Sequence, residues 1–224
     1  MQTPEKKSQE LGKFIVFEGI GGSGKGTQII LAKDLLIKNG FKTVYTREPG
    51  GIEPAEEIRK LIFMLKNEKL INAEGQMALF FGARKLWVEG VVKPNVDNGI
   101  NVLTDRCHTS TGAYQGYAEG GNQKQILAIS DIVLGNYKPD AVILLDISKE
   151  TFINRRGNDI NGDPFDKESP EYFDRLIAGY REMAKTGWGG LNWYVVNGES
   201  GVEEVSESVT KVLEEIFEKK LKRL

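Results

Sequence analysis

The chain has 224 residues, one cysteine, one histidine and a formal net charge of −2. That length suits one domain with a full core; the near-neutral balance lacks the basic surplus usual in a general nucleic-acid binder, and the lone Cys107 excludes an intrachain disulfide and points to a reducing, cytoplasmic setting. No apolar run approaches the roughly 20 residues that span a bilayer, and the polar start lacks the apolar stretch of a secretory signal, so 1–12 reads as a loose tail before one domain at 13–224.

Short apolar runs alternate with longer amphipathic stretches, which predicts an α/β fold with a five-stranded parallel sheet flanked by helices. The first strand, 14–18, leads into the loop Gly19-Ile20-Gly21-Gly22-Ser23-Gly24-Lys25-Gly26-Thr27 and a helix over 29–38 that stops at Asn39-Gly40. A second strand at 43–46 is followed by Arg47-Glu48-Pro49-Gly50-Gly51. A helix over 74–93, stopped by Pro94, carries Phe80 and Arg84 on one face. Strand 100–104 ends on Asp105-Arg106. Strand 141–146 precedes a helix that closes with Arg155 and Arg156, and the polar 157–169 reads as a mobile surface segment. After the strand at 193–196 comes a closing helix with the stripe Val202, Val205, Val209, Val212, Ile216 and Leu221. Its expected last turn holds Lys219, Lys220, Lys222 and Arg223, positive charge that suits the helix dipole.

Two phosphate-binding motifs overlay the glycine loop. Gly19-x-Gly21-x-x-Gly24, with Glu48 beyond the next strand, satisfies a dinucleotide fingerprint. Gly19-x-x-x-x-Gly24-Lys25 satisfies a P-loop, whose backbone amides wrap a β-phosphate while its lysine bridges β and γ. Lys25 discriminates, because a charge there has a task beside a triphosphate and none in the dinucleotide motif. Gly26 stands where a metal-binding hydroxyl is usual, and Thr27 follows it. The guanine-reading Asn-Lys-x-Asp of GTPases is absent; Tyr137-Lys138-Pro139-Asp140 lacks the asparagine. Arg47 and Arg106, at two strand ends beside this loop, suggest a clamp on a second phosphate, or else pair with nearby acids. Asp105 is a candidate to hold a metal-bound water, or else a carboxylate that only orients Arg106. The only histidine, His108, is given no catalytic role.

From Phe14 to about Tyr180 the residues resemble thymidylate kinases in order and spacing. The resemblance runs through the P-loop, Arg47-Glu48-Pro49-Gly50-Gly51, Phe80 with Arg84, Asp105-Arg106, Ser110-Thr111-Gly112-Ala113-Tyr114-Gln115-Gly116 and Tyr172-Phe173-Asp174-Arg175. It implies a three-layer P-loop NTPase fold with a short lid at about 155–169, ATP and Mg²⁺, dTMP as acceptor and a homodimer. By the same resemblance Gly19, Gly21, Gly22, Ser23, Gly24, Lys25, Gly26 and Thr27 would hold ATP. Arg47 and Arg106 would hold the acceptor phosphate, Phe80 would stack on thymine and Arg84 would donate to its carbonyl. Thr111 and Gln115 would line the base site, Tyr114 would crowd the 2′ position, and Glu18 and Pro49 would complete the acceptor site. Lys25, Arg106, Arg155 and Arg156 would be catalytic, with Asp105 reaching the metal through water. Phosphoryl transfer to an already anionic phosphate needs positioning and charge neutralisation more than a base.

Four positions depart from the family's usual residues: Gly21, Ile52, Ala83 and Cys107. Gly21 and Ala83 are expected near the sugar and base, where they bear on acceptor choice. A kinase for another monophosphate, a nucleoside kinase, a dinucleotide-dependent oxidoreductase and a non-catalytic nucleotide-binding protein remain alternatives. No nucleic-acid or membrane partner is expected.

Overall fold

The computed structural model describes residues 10–156 and 164–223, leaving outside it most of the expected tail and the middle of the expected lid. Five strands form one parallel sheet in the order β2-β3-β1-β4-β5. They are β1 (Phe14–Glu18), β2 (Thr43–Arg47), β3 (Asn101–Asp105), β4 (Ala141–Asp146) and β5 (Trp193–Asn197). Every residue of β1 is buried, the pattern of a central strand covered on both faces. The chain winds to one side of β1 through β2 and β3, then to the other through β4 and β5. The crevice at the carboxyl ends beside β1 is where open α/β sheets bind ligands.

The helices are α1 (Lys25–Lys38), α2 (Glu53–Asn67), α3 (Ala73–Trp87), α4 (Lys93–Asp97), α5 (His108–Thr111), α6 (Gln123–Leu134), α7 (Lys149–Arg156), α8 (Pro170–Thr186) and α9 (Val202–Ile216). One sheet face packs Ile15, Phe17 and Ile143 against Ile29 and Leu36 of α1 and Val205 and Leu213 of α9. The opposite face packs Phe14, Val16 and Val142 against Trp87 and Val88. A third cluster, with Phe80, Phe81, Phe165, Phe173 and Tyr180, fills the space beyond the carboxyl ends.

Several boundaries differ from the sequence reading. Pro94 does not end the helix expected over 74–93. The chain leaves α3 as a π-helical stretch, Val88–Val92, and restarts as α4 with the proline in its first turn, where no N–H partner is lost. A second π-helical stretch, Gly112–Ala118, continues α5 and aims Tyr114 and Gln115; such distortions recur at functional sites. The closing helix stops at Ile216, because Glu218 takes φ 48°. Lys219, Lys220, Lys222 and Arg223 therefore lie past its end, although Leu221 still reaches the core. Gly12, assigned to the tail, is docked: its N–H donates to the Val96 carbonyl at 2.9 Å, and a Cβ there would collide with the Ile100 backbone. No helix among the described residues is long and apolar enough to cross a membrane.

Candidate active site

The loop between β1 and α1 curls back on itself because its glycines adopt conformations closed to most residues. Gly19 has φ 139°, and a Cβ there would lie 2.6 Å from the Leu145 carbonyl; Gly24 has φ 90° as the residue before α1. No side chain caps α1 and no acid stands in its first turn, so its leading N–H groups are left for an anion. Gly21, Gly22, Ser23, Gly24, Gly26 and Thr27 all lie on this turn or the first residues of α1. Lys25 is 6% exposed, and its Nζ donates to the carbonyls of Gly19 and Ile20 at 2.9 and 3.0 Å, spanning the loop. On the far side Arg155 of α7 reaches over, Nη1 to the Gly22 carbonyl at 3.3 Å and Nη2 to that of Glu199 at 3.1 Å. The Arg156 side chain lies outside the described atoms.

Next to the loop is a cavity of about 220 Å³. Lys25, Arg47, Pro49, Phe80, Arg84, Asp105, Arg106, Thr111, Tyr114 and Gln115, expected from sequence alone to share a site, all line it. Its floor is polar and buried. Arg84 donates through Nε and Nη2 to Glu48 Oε2 at 3.0 and 2.7 Å and through Nη2 to Thr111 Oγ1 at 3.1 Å. Both ion-pair side chains are 1% exposed. Arg84 Nη1 and Glu48 Oε1 have no hydrogen-bond partner among the described residues. Burial pushes the Glu48 carboxyl above the usual range, and the guanidinium beside it opposes that shift. Gln115 Nε2 donates to Gln76 Oε1 at 3.1 Å, fixing the amide that faces the cavity.

The rim carries the two clamp arginines. Arg47, at the end of β2, donates through Nη2 to both carboxylate oxygens of Glu56 at 2.8 Å, as the pairing alternative allowed. Arg106 takes φ 74°, which turns its side chain out of β3's path. Its Nη1 donates to Ser110 Oγ at 3.1 Å and Tyr180 OH at 3.3 Å, and its Nη2 to Tyr114 OH at 3.0 Å. Beneath them Glu18 is fully buried and does not line the cavity. It accepts from the Cys107 N–H at 3.2 Å, Thr109 Oγ1 at 2.6 Å, and Ser110 Oγ and Tyr180 OH at 2.7 Å each. Glu18 lies 3.9 Å from Arg106 Nη1. The carboxylate expected at the acceptor is thus a strut that holds Arg106, Ser110 and Tyr180 in register.

Among the described residues Arg106 hydrogen-bonds the three hydroxyls above rather than Asp105. The buried Oδ1 of Asp105 has no hydrogen-bond partner among the described residues. Among those residues no three His, Cys, Asp or Glu side chains converge into a metal cage. Mg²⁺ does not require one, because it keeps several waters and is bound through one or two carboxylates plus substrate phosphates. One available carboxylate beside the phosphate loop fits that ion.

A family model described as "Thymidylate kinase" matches residues 17–209. The chain belongs to the thymidylate kinase family. It is 31% identical over 205 residues to a thymidylate kinase of Francisella tularensis, covering 92% of this chain and 97% of that one. A thymidylate kinase of Kosmotoga olearia is 33% identical over 198 residues, covering 88% and 93%. Among solved structures, a thymidylate kinase of Ehrlichia chaffeensis aligns with a TM-score of 0.72 at 28% identity, covering 90% of this chain and 98% of that one. The parallel sheet and its flanking helices are the P-loop NTPase fold that this likeness carries.

The positions singled out as departures do not themselves line the acceptor cavity. Ala83 and Cys107 are fully buried, and neither lines the cavity, nor does Gly21. Ala83 is buried directly before Arg84, which does line the cavity. Glu48, which the dinucleotide reading placed on a ribose, is committed to Arg84. Sequence reasoning missed Arg59, Phe63 and Phe165 as lining residues. Arg59 and Phe63 carried a signal, being four apart on α2 with the guanidinium 4.5 Å from the ring centroid. Phe165 carried none, because it stands in a polar segment.

Proposed function

We propose that this nucleoside monophosphate kinase moves the γ-phosphoryl group of ATP to dTMP, giving ADP and dTDP. One observation carries the reading: an uncapped helix start on a glycine loop opens beside a cavity with an aromatic wall, an arginine floor and two arginines on its rim. The first suits the donor's phosphates and the second a base with its 5′-phosphate.

In the reaction an anionic oxygen of the acceptor phosphate bonds to the γ-phosphorus while the bond to the β,γ-bridging oxygen breaks. No proton must be removed first, so the residues position groups and neutralise charge. The loop amides of 19–27 and Lys25 hold the donor phosphates. Arg47 and Arg106 hold the acceptor phosphate, and Arg155 and Arg156, at the end of α7, are the residues assigned to charge on the transferring group. Phe80 stacks on the base beside Pro49, Arg84 Nη1 donates to a carbonyl, Thr111 and Gln115 line the base edge, and Tyr114 guards the 2′ position. Asp105 would hold Mg²⁺ through water, and the ion would supply neutralising charge at the donor phosphates. We extend the reading to one kinase domain over 13–224 with a lid near 155–169, working as a cytoplasmic homodimer; the family resemblance carries the dimer, and the single buried cysteine suits a reducing compartment.

The test follows labelled γ-phosphate from ATP to dTMP, with Lys25→Ala alongside. Label in dTDP that disappears in the folded variant is expected; near-normal transfer by Lys25→Ala contradicts the assignment of the loop.

A further inference from the structure

The acceptor cavity has a wall that none of its motifs supplies. Phe165 comes from a short 3₁₀ turn, Pro164–Lys167, just before α8. The residue is 5% exposed yet lines the cavity. It meets Tyr114 edge-on, at 5.8 Å and 90°, and lies 5.9 Å from Phe80 and 6.3 Å from Phe63. Four rings from four segments, Phe63, Phe80, Tyr114 and Phe165, thus line the cavity together with the polar Arg84 and Gln115. Aromatic walls interleaved with hydrogen-bond donors suit a planar heterocycle with a carbonyl edge.

The turn is held by one ammonium. Lys66, near the end of α2, lies 2.8 Å from Glu119 Oε1 and 2.8 Å from Glu168 Oε1. Its Nζ also stands 4.9 Å from the Phe165 ring centroid, within cation–π range. The three side chains are 15%, 13% and 31% exposed, so water screens this junction less than an ordinary surface pair. Glu119 closes the π-helical stretch that carries Tyr114 and Gln115, and Glu168 closes the turn that carries Phe165. Lys66 therefore ties two walls of the cavity to each other through α2.

We infer that Phe165 is a binding residue for the acceptor's base and that Lys66, bridging Glu119 and Glu168, is its positioning residue. The inference rests on the acceptor reading given above. A ring that only plugged the site would occupy the space a base needs. Here the cavity stays open with the ring in place, and the ring bounds it.

The experiment is calorimetric binding of dTMP without ATP, together with steady-state KM values for dTMP and ATP. The proteins are the full-length wild type, Phe165→Ala, Phe165→Leu and Lys66→Met. Loss of a stacking wall predicts about a tenfold rise in both Kd and KM for dTMP in Phe165→Ala. Leucine, which refills the volume without a ring, should give about threefold, and Lys66→Met about threefold through slackened positioning. The KM for ATP should stay within twofold throughout. An unchanged dTMP constant in Phe165→Ala would overturn the inference, as would tighter dTMP binding, which identifies a plug. If the alanine variant does not fold, the leucine variant decides, because an unchanged dTMP constant there is equally contrary. Failure of the wild type to bind or phosphorylate dTMP would instead refute the acceptor reading itself.

Discussion

Replacing Glu18 by glutamine tests whether a fully buried carboxylate sets the acceptor clamp. Glu18 accepts four hydrogen bonds, two on each oxygen. An amide keeps one oxygen and turns the other acceptor into a donor. The Cys107 N–H cannot rotate away, so the amide oxygen must stay on that side, and its nitrogen then faces the hydroxyls of Ser110 and Tyr180. These can reorient, since they already lie 3.0 Å apart. The loss is then four charge-assisted bonds weakened to neutral ones, each by roughly 1 kcal/mol, less what the hydroxyls recover. We expect about 2–4 kcal/mol of lost stability in urea unfolding. Arg106 shares Ser110 and Tyr180 and loses its nearest carboxylate, so its guanidinium shifts. A misplacement of ~1 Å costs on the order of a hundredfold in rate. The expected kcat/KM for dTMP therefore falls about a hundredfold, while ATP affinity changes by less than threefold. A Glu18→Gln enzyme within threefold of wild type toward dTMP would refute the strut.

Three further outcomes follow from the same geometry. Arg106→Ala should reduce kcat/KM for dTMP by at least about a hundredfold with ATP binding nearly unchanged; equal losses on both substrates would undo its acceptor role. Arg84→Met leaves the Glu48 carboxylate buried alone and should cost about 3–5 kcal/mol in urea unfolding. Adding Glu48→Gln should recover half or more of that, and strict additivity would contradict the buried pair. His108 stands against Trp188 and Cys107, and burial, with the charges of Arg84 and Lys138, lowers its pKa from 6.5 to about 3. The unfolded chain takes up that proton first, so stability present above pH 6.5 is lost as pH falls toward 3, by about 1.4 kcal/mol per pH unit. His108→Asn should remove that component of the slope between pH 6 and 4; an unaltered slope would exclude His108 as its source.

Much of this arrangement was legible in the sequence because it is local. All five strands fall within a residue or so of their expected bounds, since each is a short apolar run bounded by turn residues. Lys25, Arg47, Phe80, Arg84, Arg106 and Tyr114 converge because strand ends, the start of α1, one face of α3 and the stretch after α5 bring them to the same crevice. What stayed hidden depends on contacts distant in sequence. Glu48 and Arg84 are 36 residues apart, and nothing local marks them as a buried pair. Glu18 joins Thr109 and Tyr180 across 91 and 162 residues, so its role as a strut is visible only in three dimensions. The sequence reading passed over α2, α6 and α8, although α8 begins with a Ser169 cap and Pro170 and ends at Gly187, ordinary boundary signals. Pro94 misled for a physical reason: it stops an unbroken α-helix, but here a π-helical stretch precedes it and the proline opens a new turn.

The most direct test of the account is a coupled ADP-release assay with ATP and Mg²⁺ across dTMP, dUMP, the other nucleoside monophosphates, thymidine and no acceptor. Strong turnover of dTMP with little for thymidine is the predicted result. ATP binding without turnover of any monophosphate would contradict the account.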